Sequence, residues 1–140
     1  MKNSSTVYNL RRLCFLKGVE RDLRIIQKII TYGKEIDEAV ALFGNDYETF
    51  NKISAYKNSV SMCVMQIGEL AGHLTSDFKE RYNGMPWKQI KGMRNIVAHE
   101  YGNIDLVELW YTAQEDIPAL CDYCQNIAIE INQNQIGEQE

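Results

Sequence analysis

The sequence predicts an all-α fold: an up-and-down four-helix bundle, homodimeric, with a kinked last helix. Three observations lead there. Apolar residues recur at alternating three- and four-residue steps through most of the 140 residues, the period of a helix with one buried stripe. No stretch alternates as a strand would, and no internal repeat or glycine-rich phosphate loop occurs. Turn and cap residues fall between the periodic stretches, dividing them into rods of bundle length.

The first rod is expected from Val19 to Phe43, on the stripe Val19, Leu23, Ile26 and Ile30, widened by Ile29, Ile36, Val40 and Phe43. Residues 1–18 lack a convincing periodic face and read as an appendage, a disordered or docking arm. Gly33 costs about 1 kcal/mol against alanine in an exposed helix interior, so it marks close packing or a bend. Gly44-Asn45-Asp46 stops the rod and caps the next, with Asn45 or Asp46 as N-cap. The second rod has the cleanest seam, Ile53, Tyr56, Val60, Cys63, Ile67, Leu70 and Leu74. Within it Gly68 allows another helix to approach, and Glu69 either faces solvent or orients a cation.

Thr75-Ser76-Asp77 starts a short helix to Arg81, which Asn83-Gly84-Met85-Pro86 breaks. Pro86 suits the first turn of a third rod running to about Tyr101, with Trp87, Ile90, Met93 and Val97 inward. Asp105-Leu106-Val107-Glu108 resembles a capping box and opens the fourth rod, whose stripe is Leu106, Trp110, Ala113, Ile117, Leu120, Cys124, Ile127 and Ile131. Pro118 predicts a kink near Gln114 to Ile117, or two shorter helices. Residues 132–140 form a polar tail expected to fray. The boundaries are therefore a poorly matched extension over 1–18, a helical domain over 19–131 and a tail over 132–140.

Composition bounds the function. With 45% hydrophobic and 24% charged residues the chain is an ordinary globular protein of one domain's size. A net charge of −4 argues against unspecific attraction of nucleic acid, so any such contact must be local. One local patch exists: Lys79, Arg81, Lys88, Lys91 and Arg94 stand against Glu80 alone, a net of +4. The bland reading is a solvated helix face. Cys121 and Cys124 form a C-x-x-C without a second pair or a suitably spaced histidine, which favours core packing over a metal site, and no metal or other cofactor is expected. The apolar run Leu13-Cys14-Phe15-Leu16 is too short for a signal or a membrane span, so a cytoplasmic setting is expected.

The best chemical side chains gather in Met93-Arg94-Asn95-Ile96-Val97-Ala98-His99-Glu100-Tyr101-Gly102. Four residues apart on a helix, Asn95 and His99 project within about 40° of each other. Arg94 lies off that line, so its stem folds over or it serves another subunit. Gly102 reads as a C-cap, which puts the Tyr101 phenol at a helix end. Lys88, Gly92, Asn95 and His99 make a face of their own, and Gly92 removes a side chain where a twin helix would come close. Such residues also occur by chance on helices that only face solvent. A histidine beside a fixed cation and an amide nevertheless suits phosphate chemistry: imidazole trades protons near neutral pH, and a guanidinium fork matches two phosphate oxygens. One histidine cannot be acid and base at once, which makes a two-fold site attractive.

The pattern Arg-Asn, three residues, His, one residue, Tyr resembles the signature of HEPN domains, specifically the HepT-like toxin branch. Gln66-Ile67-Gly68-Glu69, Pro86 to Gly92, Asn103-Ile104-Asp105 and Trp110 agree, and the likeness runs from about Val19 to about Ile131. The resemblance implies the toxin of a type VII toxin–antitoxin system: a metal-independent endoribonuclease with Arg94 and His99 in a cleft at a homodimer interface. Asn95 would hold the imidazole or the scissile phosphate, while Lys88 and Lys91 steer RNA. It also implies that a paired nucleotidyltransferase antitoxin adds AMP to Tyr101 and silences the toxin. A non-catalytic nucleotide-binding or adaptor HEPN protein is the alternative, in which the same residues grip a nucleotide or fasten the dimer.

Overall fold

The computed structural model describes residues 3–98 and 105–138, and every described element is helical. Helix α1 spans Asn3–Phe43 and α2 Tyr47–Lys52; α3 covers Ser54–Gly72, α4 Ser76–Arg81 and α5 Trp87–Ala98. After the undescribed connection come α6, Leu106–Tyr111, a π-helical turn over Thr112–Asp116, and α7, Ile117–Gly137.

Contacts between the long helices fix their directions. Tyr56 donates its hydroxyl to the Gly44 carbonyl, Cys63 lies 3.6 Å from Glu35, and Thr75 donates to Asp22, so α3 runs antiparallel to α1. Helix α1 also packs on α7 and α3 on α5. The core between them is aliphatic in its middle, with Ile26, Ile29, Ile67 and Cys124 at 0% exposure. At one end Phe43, Tyr47, Phe50, Tyr56 and Trp110 form an aromatic cluster, with Phe50 and Trp110 centroids 5.1 Å apart. Burying rings of this size supplies much of the hydrophobic stabilisation.

Local signals set the helix ends. Gly44 leaves α1 at φ +114°, a left-handed turn open to glycine, and donates to the Val40 carbonyl. Asp46 caps α2 by accepting from the Thr49 amide at 3.1 Å. Thr75 caps α4, and Asp105 caps α6 by accepting from Val107 and Glu108.

Several expectations need correction. Helix α1 begins at Asn3 rather than Val19, so residues 3–18 are a helical overhang and not a disordered arm. The second rod is broken at Ile53, whose extended backbone separates α2 from α3 and lets α2 turn to bury Phe50 against Trp110. Helix α7 continues to Gly137, through most of the stretch expected to fray. Leu109 and Thr112, absent from the expected stripe, are buried, whereas Leu106 and Trp110 are only partly so. The π turn explains this: Ile117 donates five residues back to Thr112, and the inserted residue resets the inward face where Pro118 provides no amide proton. The interruption expected near Gln114 to Ile117 thus takes the form of a π turn rather than a simple kink.

Gly33 and Gly68 serve close packing. A Cβ on Gly33 would collide with Cys121 Sγ of α7, and one on Gly68 would lie 2.8 Å from the Arg94 amide nitrogen. The C-x-x-C is core material: all four cysteines are free, and burial pushes the Cys121 thiol up to about 11 and the Cys124 thiol up to about 12.

Candidate functional site

The site begins with the α3–α5 crossing. Trp87, Ile90 and Val97 bury themselves as expected, and with them inward α5 turns Lys88, Lys91, Arg94 and Asn95 outward, all exposed. Gly68 lets the two backbones approach until its missing Cβ is all that separates it from Ile90 O and Arg94 N. This brings Glu69, the next residue of α3, beside Arg94. Arg94 Nε forms an ion pair with Glu69 Oε2 at 3.0 Å, the resolution of Arg94's off-line position: its stem turns toward α3.

Glu69 serves a second cation. Its Oε1 lies 3.5 Å from His73 Nε2, one helical turn along α3, a contact that becomes an ion pair when the imidazole is protonated. Glu69 therefore spans two nitrogen groups on two helices. Sequence reasoning left its role open, and the i, i+4 spacing to His73 was the visible part of the signal. Just over half of the Arg94 side chain, 55%, remains exposed to solvent. Lys91 lays its stem over Gly72, with three of its carbons 3.4 Å from where a Cβ would stand. A cation on a fixed stem is the outcome.

Among the described residues nothing lies within 4 Å of a Cβ added at Gly92. Of the expected site residues, Lys88, Lys91, Arg94 and Asn95 are each exposed on α5, with Arg94 nearest the α3 crossing, whereas His99 and Tyr101 lie outside the described residues. Among the described residues no group of three His, Cys, Asp or Glu side chains converges on a common point, and no helix is long and apolar enough to cross a membrane. The described part of the site is an anchored guanidinium flanked by an amide and two lysines. Guanidinium, ammonium and amide groups are chemically suited to phosphate oxygens.

Comparison with known proteins places the chain in a family. Residues 22–127 match the model described as "Ribonuclease HepT-like", which covers α5 and most of the helical body. The chain belongs to the HepT-like ribonuclease family. A Methanocaldococcus jannaschii protein named a "putative RNase" is 31% identical over 103 residues, 72% of this chain and 83% of that relative. A second protein of that organism with the same kind of name is 35% identical over 75 residues, 54% of this chain and 69% of its own length. The "Probable ribonuclease HepT" of Thermococcus cleftensis is 39% identical over 54 residues, 39% of this chain and about half, 49%, of that protein. No solved structure matches the HepT-like chain at a comparable level of significance. The family match starts three residues after Val19, and the α1 overhang lies wholly outside it.

Proposed function

We infer that this HepT-like chain is a metal-independent endoribonuclease, the toxin of a type VII toxin–antitoxin pair, acting in the cytoplasm as a homodimer. The observation that carries the reading is Arg94, held by Glu69 at 3.0 Å with its side chain half exposed, on the same helix as the exposed Asn95 and two lysines. Membership of a family described by its ribonuclease activity supports RNA as substrate.

In the proposed reaction a base removes the proton from a ribose 2′-hydroxyl, the 2′-oxygen bonds to the adjacent phosphorus, and the bond to the 5′-oxygen breaks as that oxygen takes a proton. The products are a 2′,3′-cyclic phosphate and a 5′-hydroxyl. His99 performs one proton transfer, and His99 of the second protomer the other. Arg94 neutralises the charge that grows on the phosphoryl oxygens. Because Glu69 occupies Nε, the fork toward phosphate is the Nη pair. Asn95 orients the imidazole or the phosphate, and Lys88 and Lys91 draw the RNA backbone in. Gly92, with open space beyond it, lets the second α5 approach.

Tyr101 is the proposed acceptor of AMP from a partner nucleotidyltransferase. An anionic adduct two residues from His99 would fill the phosphate site and repel RNA. The test is cleavage of a labelled RNA in excess chelator by the intact chain and by His99→Ala and Tyr101→Phe variants. Expected is cleavage by the intact chain and by Tyr101→Phe, but not by a dimeric His99→Ala. Intact RNA in every sample would favour a nucleotide-binding or adaptor role instead.

A further inference from the structure

The carboxylate that fixes Arg94 also cancels its charge. Glu69 meets Arg94 Nε at 3.0 Å through one oxygen, so the pair carries no net charge where the proposed reaction needs a positive one. Phosphate is drawn by field as well as by donors, and an Arg–Glu pair alone offers donors without a field. The second oxygen of Glu69 resolves the conflict. It lies 3.5 Å from His73 Nε2, and imidazole is the side chain that gains or loses its charge around neutral pH. With a neutral imidazole the three side chains balance to nothing. With a protonated one they carry a single positive charge.

His73 is well placed to act this way. It is the C-cap of α3, its amide donating to the Leu70 carbonyl, and its side chain is 56% exposed, open to RNA. The unpaired carbonyls at a helix end favour positive charge, yet the last turn of α3 holds no lysine or arginine. Lys91 of α5 lays its stem over this end, with three carbons 3.4 Å from where a Cβ of Gly72 would stand. Two contacts through one carboxylate keep the imidazole and the guanidinium within the Debye length of 0.1 M salt, ~10 Å. A charge gained at His73 is therefore felt at Arg94.

Charged groups reach this end of α3 from each neighbouring element. Glu69 stands on α3 itself, Lys91 and Arg94 on α5, and Asp77 in the first turn of α4. On α1 the acid is Asp22, which is buried and accepts from the Thr75 amide and hydroxyl, one oxygen each. Asp22 is thus engaged beyond His73, and Glu69 is left as the carboxylate in contact with the imidazole.

On the ribonuclease reading of α5, we propose that His73 is a positioning residue for RNA: protonated, it balances Glu69, so that Arg94 is both held in place and presented to phosphate with a net positive charge. The cationic edge of the site then extends from α5 across the helix crossing to the end of α3. His73 takes no part in the proton transfers. It strengthens RNA binding as pH falls through the imidazole range and adds one cation to the phosphate-binding surface.

The experiment measures binding of a 5′-radiolabelled single-stranded RNA to the full-length His99→Ala chain by filter retention. That substitution prevents the proposed cutting and leaves His73 as the remaining one of the two histidines. Affinity is taken over a salt series at about pH 5.5 and about pH 8, either side of the range in which imidazole changes charge. Binding should be about threefold tighter on the acid side. The slope of log affinity against log salt should be steeper there by about 0.7, the contribution of one added phosphate contact on a single strand. Adding His73→Gln should leave the weaker, shallower binding at both pH values, and adding His73→Arg the tighter, steeper binding at both. Circular dichroism checks that helicity is kept. A contact that only stabilises α3 would move the unfolding midpoint of His73→Gln and leave the salt slope alone. RNA binding with no such pH difference, or with one that survives in His73→Gln, overturns the proposal while the RNA reading stands. Absence of RNA binding in every folded sample overturns both.

Discussion

Arg94 owes its place to a carboxylate two helices earlier in the chain. Glu69 holds Nε at 3.0 Å while its other oxygen lies near His73, so one carboxylate sets the rotamer of the cation proposed to meet phosphate. Both partners are about half exposed, at 55% and 43%, and such a pair adds under roughly 1 kcal/mol to stability. Its effect on the chemistry is larger. Glu69→Gln should leave thermal unfolding within about 2 °C of wild type, yet lower kcat/KM for RNA by about tenfold, or ~1.4 kcal/mol of transition-state stabilisation. Equal losses in activity and stability would make Glu69 a structural residue only. The cysteines give a second residue-scale prediction. Burial, with the nearby Glu35 carboxylate adding to it, pushes the Cys63 thiol up to about 12, and burial also raises Cys121 and Cys124. A thiol whose folded value is raised contributes stability that is complete below its unfolded value, about 9, and is lost as pH climbs toward the folded one. Stability should therefore fall between about pH 9 and 12, and at pH 8 Cys63 and Cys124 should resist alkylation until urea unfolds the chain. Rapid native labelling at either would contradict their burial. At this scale the outward position of Lys88 and Asn95 was legible, because α5 has an apolar stripe in Trp87, Ile90 and Val97. The partner of Arg94 was not, since 25 residues separate it from Glu69 and only the helix crossing joins them.

Helices meet here where glycines permit it, and Gly68 is the decisive one. A Cβ there would stand 2.8 Å from the Arg94 amide nitrogen and 3.1 Å from the Ile90 carbonyl oxygen, both backbone atoms that cannot rotate aside. Gly68→Ala should force α3 and α5 apart, cost about 1–3 kcal/mol in urea unfolding, and lower RNA cleavage with it by moving Glu69. An unchanged unfolding midpoint would mean that the crossing relaxes freely. Asp105 caps α6 by accepting from two of its amides. Asp105→Ala should cost about 1 kcal/mol, read from the same unfolding curve. Elements ended by local chemistry were legible in advance: Gly44 and Asp46, Thr75, and Asp105 each act within a few residues of themselves. Three features escaped because nothing local dictates them. The break at Ile53 answers to Phe50 packing on Trp110, sixty residues away. The π turn settles a conflict between Pro118 and the inward register. The overhang of α1 is helical although its apolar side chains find too little of their own chain to cover them.

As a whole molecule the chain is electrically polar along its sequence. Residues 1–19 hold no carboxylate, and none after Arg94 is lysine or arginine, so a net charge of −4 conceals a basic beginning and an acidic end. Lys88, Lys91 and Arg94 are exposed on α5, while α7 carries Asp122 and Glu130 and no lysine or arginine. RNA would meet a local field rather than a global one, and its binding should weaken steeply with salt. Doubling the salt should raise KM more than it lowers kcat; a salt-independent KM would argue against phosphate steering. The proposed chemistry makes one more demand, and it is the most direct test of the account. A synthetic RNA should be cut in excess chelator and its new ends identified. A 2′,3′-cyclic phosphate with a 5′-hydroxyl, abolished by His99→Ala and reduced by Glu69→Gln, is the predicted result. Ends bearing a 5′-phosphate, or cutting that stops in chelator, would contradict it.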